Sequence, residues 1–163
     1  LSSDSKKITD KLPMNFKWIG LIKIILPNSK IVHCTRDSRD ICLSIFKNFF
    51  TSSKMNFAYD IDEICEYHNL YSDIMKYWQA LLPNFIYNIN YEELVKKPKN
   101  QIKNLLKNCN LDWNDSCLKF YENKRAVQTR SDIQVRKKIY VSSINLWKNY
   151  KRNLELKYKK FNI

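Results

Sequence analysis

The clearest candidate for chemistry is the segment 36–44, in which Arg36 and Asp37 directly follow a run of β-branched residues. If that run is a strand and Asp37 begins a helix, the free N–H groups of the helix can bind an anion at the carboxyl end of the strand. The guanidinium of Arg36 adds a bidentate donor. Ser44 follows Asp40 at helical spacing, so its hydroxyl is expected on the same face. The segment predicts a site for a tetrahedral anion, with one alternative: Arg36 pairs with Asp40, and Ser44 bonds its own helix backbone.

Helices and short strands must hold this segment in place. Runs rich in β-branched and aromatic residues predict strands at 30–35 and 85–91, and a polar loop is expected at 51–60. The first strand is expected to be parallel and buried, because helices flank it on both sides. Spacing and capping residues predict helices at 16–26 with Asn15 as its cap, from Asp37 to 50, and at 61–82, 99–109, 114–123 and 142–150. This order is typical of half of an α/β sheet domain.

The single glycine among 163 residues, Gly20, limits the phosphate-binding motifs that these residues can hold. The loop GxxxxGK[ST] and the dinucleotide-binding pattern GxGxxG both need several glycines, so neither is present. An anion site in this chain must therefore depend on side chains such as Arg and Ser.

The net charge of +13, from 29 basic and 16 acidic residues, favours anionic partners such as nucleotides, nucleic acid, acidic peptides or a membrane surface. A compositional explanation competes with this, because 23 Lys and 18 Asn residues are typical of proteins from AT-rich genomes. The six arginines are the more informative cations, since such a bias leaves Arg where its planar fork is needed.

Five cysteines without a CxxC pair, and two histidines, do not have the spacing of a zinc site. Buried thiols in a reducing compartment are expected, which favours a cytoplasmic location. His33 falls inside a predicted strand and is interpreted as structural. We find no transmembrane or signal segment in the sequence. Because the chain begins with Leu, we expect it to be a fragment, with a processed chain as the alternative.

Several motifs, in this order and spacing, resemble the sulfotransferase family and most closely its tyrosylprotein sulfotransferase-like branch. The resemblance extends from about residue 8 to residue 150. Its motifs are DKLP at 10–13, LPNSKI at 26–31, RDSRD at 36–40 with Ser44, NYEELV at 90–95 with Pro98, the loop from Arg125 to Tyr140, and Trp147.

The resemblance implies an α/β fold, namely a P-loop-NTPase-like three-layer parallel sheet flanked by helices. The chain would lack the N-terminal phosphate-loop strand–helix unit of that fold. We therefore expect one partial sulfotransferase domain over residues 1–163, with a frayed lead-in at 1–9, the domain proper at 10–150 and a basic tail at 151–163.

The resemblance also implies the residues that bind 3′-phosphoadenosine 5′-phosphosulfate (PAPS), the co-substrate of the family. Arg36 and Ser44 match the residues that bind its 3′-phosphate, and Lys11 matches a lysine near the transferring sulfuryl group. Lys137 matches the lysine of a C-terminal loop that closes over the nucleotide. Arg136 is an equal candidate, because Lys138 replaces the proline of the family and leaves the register uncertain by one residue.

Two further residues, Thr129 and Ser131, are candidates for a hydroxyl near the reaction centre. Sulfuryl transfer resembles phosphoryl transfer, in which positioning and electrostatic stabilisation supply most of the catalysis. Such chemistry needs no metal ion.

The sequence therefore predicts sulfuryl transfer from PAPS, which leaves 3′-phosphoadenosine 5′-phosphate (PAP), to an acceptor hydroxyl. The acceptor could be a tyrosine of an acidic peptide, a carbohydrate or a small alcohol. The general base and the phosphosulfate loop are expected upstream of residue 1, so the isolated chain is expected to be inactive. Two alternatives remain: an inactive sulfotransferase-fold scaffold, or a basic nucleic-acid-binding module whose aromatic residues stack on bases. Against that module, no zinc-finger spacing, RNP signature or helix-turn-helix is evident, so we expect no nucleic-acid partner.

Overall fold

A computed structural model of the chain describes residues 7–50, 52–123 and 135–161. Helices and strands alternate along these residues, and the fold is α/β with a parallel sheet. No helix in the described ranges is both long and apolar enough to cross a bilayer.

The sheet contains two strands within the described part of the chain, β1 (Ile31–Thr35) and β2 (Ile86–Asn90). They pair in parallel from the first residue of each to the last. The two predicted strands and the parallel sheet are therefore confirmed. Because the strands run in the same direction, their carboxyl ends meet at one edge of the sheet.

Helices fill most of the remaining described chain. The α-helices are α1 (Ile19–Ile25), α2 (Ser38–Phe46), α3 (Ile61–Leu81), α4 (Tyr91–Lys96), α5 (Pro98–Asn108) and α6 (Lys151–Tyr158). Tighter 3₁₀ helices cover Pro13–Trp18, Ser53–Tyr59, Asp115–Glu122 and Leu146–Tyr150.

The prediction that β1 is buried is wrong. Successive side chains of a strand point to opposite faces of the sheet. On one face His33 bonds to the hydroxyl of Tyr71 in α3, but on the other face Val32 and Cys34 are exposed. Along this strand the described residues therefore cover one face of the sheet more fully than the other.

The predicted helix at 16–26 is found in a different form. The chain first makes the 3₁₀ helix Pro13–Trp18 and only then α1. Pro13 suits that first position, because its missing N–H would have no partner there. Asn15 does not cap a helix; its side-chain amide donates to Asp10 Oδ2 at 2.5 Å.

Helix α2 begins as predicted and ends earlier than predicted. Asp37 caps it by accepting a hydrogen bond from the N–H of Arg39 at 2.9 Å. The helix ends at Phe46 rather than at residue 50. The N–H of Asn48 donates to the carbonyl oxygen of Ile45 at 3.0 Å, and its side-chain amide donates to that of Ser44 at 2.6 Å. Further on, the backbone of Phe50 bonds to the hydroxyl of Tyr59. Part of the expected loop 51–60 is helical, as the 3₁₀ helix Ser53–Tyr59.

The predicted helices in the second half of the chain differ mainly in type. Helices α3 and α5 match the predictions at 61–82 and 99–109 to within one residue at each end. The predicted helices at 114–123 and 142–150 are 3₁₀ helices, the second one only over Leu146–Tyr150.

The segment expected to be a basic tail contributes to the core. Its residues Lys151–Tyr158 form α6, which packs against α3. Tyr158 and Phe161 are buried together with Trp147, beside Cys42 and Ile64. The Lys-rich composition of this segment concealed the two aromatic side chains that anchor it.

All five cysteines are free thiols, but their exposure varies. Cys42 and Cys65 are buried in the contact between α2 and α3, where burial raises the pKa of Cys42 to about 12. Cys34 is exposed, so the expectation of buried thiols does not hold for every cysteine.

Candidate functional site

The candidate site lies where the two strands end. Arg36 and Asp37 follow β1, and Tyr91 and Glu92 follow β2. The backbone N–H of Asp37 donates to Glu92 Oε1 at 2.9 Å, so the two loops are joined at this edge. The edge therefore brings together the start of α2 and the start of α4.

The guanidinium of Arg36 has partners on two sides. Its carbon lies 4.7 Å from the ring centroid of Tyr91, and its Nη2 donates to the carbonyl oxygen of Ser143 at 2.5 Å. The hydroxyls of Tyr91 and Ser143 are hydrogen-bonded at 2.6 Å. Arg36 is thus held at the edge of the sheet, with 22% of its side chain exposed to solvent.

A buried carboxylate lies one helical turn from Arg36. Asp40 Oδ2 is 3.7 Å from Arg36 Nη2, and the residue is only 2% exposed. The alternative interpretation of the sequence, a pair between these two residues, is therefore present. The carboxylate also accepts the N–H of Asn145 at 2.8 Å and that of Trp147 at 2.9 Å.

A second Asp–Arg pair stabilises the first turn of α2. Arg39 Nη2 lies 2.6 Å from Asp37 Oδ2, and its guanidinium stacks 4.0 Å from the ring centroid of Trp147. Partial burial opposes ionisation of Asp37, but the hydrogen bonds from the side chain and backbone of Arg39 outweigh it and lower the pKa of Asp37. Asp37 therefore stays ionised, and keeps capping α2, to a lower pH than an unpaired aspartate would.

Three buried polar atoms near this edge have no hydrogen-bond partner among the described residues. They are Arg36 Nε, Glu92 Oε2 and Trp147 Nε1. Buried polar groups are normally paired, so such atoms often mark a place where a ligand or water completes the structure. The cationic edge at the start of α2 has the charge and the donors to bind an anion.

The structure does not join Ser44 or Lys11 to Arg36. Ser44 is exposed on α2, about 9 Å along the helix axis from Ser38. Among the described residues its hydroxyl makes no hydrogen bond, so the backbone bond considered from the sequence is not formed. Lys11 is exposed just before the 3₁₀ helix Pro13–Trp18, and no hydrogen bond or ion pair links it to Arg36 within the described ranges.

The structure describes some of the candidate site residues in the C-terminal part of the chain. Arg136 is half-buried and Lys137 is exposed. The ammonium of Lys138 lies 5.7 Å from the ring centroid of Tyr121. Thr129 and Ser131 lie outside the described residues.

No group of three or more His, Cys, Asp and Glu side chains that could hold a metal ion occurs in the part of the chain that the structure describes.

The sequence argument considered Asp40 only as an alternative partner of Arg36, and it assigned no role in the site to Tyr91, Glu92 or Ser143. One signal was available for two of them, because Tyr91 and Glu92 follow the neighbouring strand. For Ser143 no local signal existed, because its contact with Arg36 is made by a backbone carbonyl.

Comparison with known proteins places this geometry in context. A family model described as "Sulfotransferase family" matches residues 1–115. A protein of Aquifex aeolicus (strain VF5), described as an uncharacterized protein, is 39% identical over 156 residues. That alignment covers 94% of this chain and 20% of the relative, so the chain spans about one fifth of the relative's length.

Proposed function

The chain belongs to the sulfotransferase family, and from this premise we propose that it binds PAPS and acts in the transfer of a sulfuryl group to an acceptor hydroxyl. The position of Arg36 carries the proposal. It stands at the carboxyl end of a parallel strand and at the start of a helix, where α/β proteins bind anionic ligands.

In the proposed reaction the acceptor oxygen attacks sulfur while the bond from sulfur to the leaving phosphate oxygen breaks. The electron pair leaves with PAP, and the acceptor proton passes to a base. Arg36 and Ser44 hold the 3′-phosphate, which does not react but supplies binding energy. Lys11 stabilises the charge that develops on the leaving oxygen, and Arg136 or Lys137 closes over the nucleotide.

The finer features of the proposal follow the resemblance in sequence. They are a P-loop-like three-layer sheet, a hydroxyl from Thr129 or Ser131 near the reaction centre, and a tyrosine acceptor in an acidic peptide. The net charge of +13 supports an anionic substrate, because it raises the local concentration of anions.

Thermal unfolding with and without PAP tests the binding step. A ligand that binds the native state at about 100 times its Kd adds about 2.7 kcal/mol of stability. For a chain of this length that equals a rise of roughly 5–10 °C in Tm. We expect this rise in the unmodified protein and none in Arg36→Ala.

The matched control is Arg152→Ala, which removes an exposed arginine of α6. It should keep the full response to PAP. If Arg36→Ala responds as the control does, Arg36 is not the phosphate ligand. If no protein responds, the chain is an inactive scaffold or binds another anion.

A further inference from the structure

The segment from Ser143 to Trp147 lies over the first turn of α2, and Asp40 holds it there. The two carboxylate oxygens of Asp40 accept the N–H groups of Asn145 and Trp147, at 2.8 and 2.9 Å. Hydrogen bonds to an ionised acceptor are stronger than neutral ones. This carboxylate is therefore the main polar attachment between α2 and this segment.

The same segment determines where Arg36 lies. Ser143 contributes its carbonyl oxygen to Arg36 Nη2 at 2.5 Å and its hydroxyl to that of Tyr91 at 2.6 Å. Tyr91 in turn supplies the ring face on which the guanidinium rests. If the segment moved away from α2, Arg36 would lose its hydrogen bond to the carbonyl oxygen of Ser143. Tyr91 would lose its hydrogen bond to the hydroxyl of Ser143.

Asn145 makes the turn that brings two backbone N–H groups to Asp40. Its φ is 59°, in the left-handed region, which asparagine adopts more readily than most other non-glycine residues. The turn it makes directs the N–H groups of Asn145 and Trp147 toward a single carboxylate.

We propose that Asp40 is a positioning residue that fastens the Ser143–Trp147 segment to α2 and thereby keeps Arg36 oriented for a 3′-phosphate. The role in phosphate binding rests on the proposed function; the attachment itself does not. Asp40 contacts no ligand in this scheme and acts only through Ser143 and Arg36. Preorganisation of this kind raises affinity because the arginine need not be ordered when the nucleotide binds.

Amide hydrogen exchange tests the attachment without any nucleotide. In the unmodified protein the amides of Asn145 and Trp147 should exchange slowly, because their acceptor is buried. Asp40→Asn turns one acceptor into a donor facing an N–H group, and both amides should exchange at least about tenfold faster. The control Asp73→Asn alters an exposed carboxylate of α3 and should leave them unchanged.

Two nucleotides distinguish positioning from a general structural role. Asp40→Asn should weaken binding of PAP about tenfold. Binding of adenosine 5′-phosphate, which has no 3′-phosphate, should stay within about twofold. An equal loss for both nucleotides would overturn the proposal, because it would mean that the whole site is disturbed.

The NMR signal of Arg36 Nε–H is a third readout, since this atom is buried. It should exchange slowly in the unmodified protein and quickly in Asp40→Asn. If the unmodified protein binds no PAP, the proposed function fails, and the amide and guanidinium signals still decide whether Asp40 orients Arg36. If Asp40→Asn does not fold, fast exchange at Asn145 and Trp147 in the unmodified protein would refute the attachment, and slow exchange would support it.

Discussion

The groups around Arg36 determine how its side chain is oriented and what it can bind. An exposed arginine would spread its donors among waters, whereas this one has an aromatic face, a carbonyl oxygen and a carboxylate around it. Its charge is not fully neutralised, because the nearest carboxylate is 3.7 Å away and is shared with two backbone N–H groups. The residue therefore keeps the charge that an anionic ligand needs.

Gly20 is explained by its neighbour Trp78. A Cβ atom at Gly20 would lie 2.7 Å from Trp78 Cη2, closer than two carbon atoms can approach. The indole cannot easily move away, because its N–H donates to the carbonyl oxygen of Phe16 at 2.9 Å. The one glycine of the chain thus permits α1 to pack closely against α3.

We predict that Gly20→Ala destabilises the protein by about 1–3 kcal/mol, the usual cost of overpacking, despite the better helix propensity of alanine. Chemical denaturation measures the difference. In a Trp78→Phe background the interfering ring atoms are absent, and the same substitution should cost nothing. An equal loss in both backgrounds would mean that contact with the indole is not the cause.

At the scale of elements, α6 and the residues that follow it contact α3 in two ways. Salt bridges join them at the surface, and aromatic side chains are buried between them. Lys157 and Lys160 both reach Asp62 Oδ2, at 2.6 and 3.0 Å. The hydrogen bonds from Lys157 and Lys160 lower the pKa of Asp62. These exposed pairs contribute little free energy by themselves, so burial of Tyr158 and Phe161 must hold the helix in place.

We therefore predict that Tyr158→Ala destabilises the protein by about 3–5 kcal/mol, as does loss of other buried aromatic side chains. Leu156 is the matched control on the same helix, since it is 77% exposed. Leu156→Ala should change the free energy of unfolding by less than about 0.5 kcal/mol. Similar values for the two variants, measured by urea unfolding, would show that α6 does not belong to the core.

At the scale of the whole molecule, the excess of basic residues generates a long-range positive field. The net charge of +13 remains after local pairs such as Lys157 with Asp62 are formed. A field of this kind acts on the rate at which anions arrive more than on the rate at which they leave.

The association rate constant of PAP should therefore fall severalfold as ionic strength rises from about 0.02 to about 0.5 M, since screening shortens the reach of the field. The dissociation rate constant should change much less. Stopped-flow measurements give both, with uncharged adenosine as the control. An association rate that does not depend on salt would mean that the charge does not steer the nucleotide.

Much of the fold could be predicted because it depends on residues close together in sequence. The β-branched run of β1, the cap at Asp37 and the long hydrophobic spacing of α3 each act within a few residues. Helix type and ends were less predictable. The chain after α2, for example, bonds through the backbone of Phe50 to the hydroxyl of Tyr59, nine residues later, and the local pattern does not specify that contact.

The sequence by itself determined the family, through motifs in a specific order, and the place of Arg36 at the end of a strand. Only the tertiary structure decided what surrounds Arg36. Ser143 and Trp147 each lie 107 residues beyond their partners, Arg36 and Asp40. They are bound through a carbonyl and an N–H, groups that nearly every residue carries. The sequence singled out Trp147 as a residue of the family motifs, but no local pattern indicated that its N–H bonds to Asp40 or that the carbonyl of Ser143 bonds to Arg36. Only folding brings these groups to the carboxyl edge of the sheet.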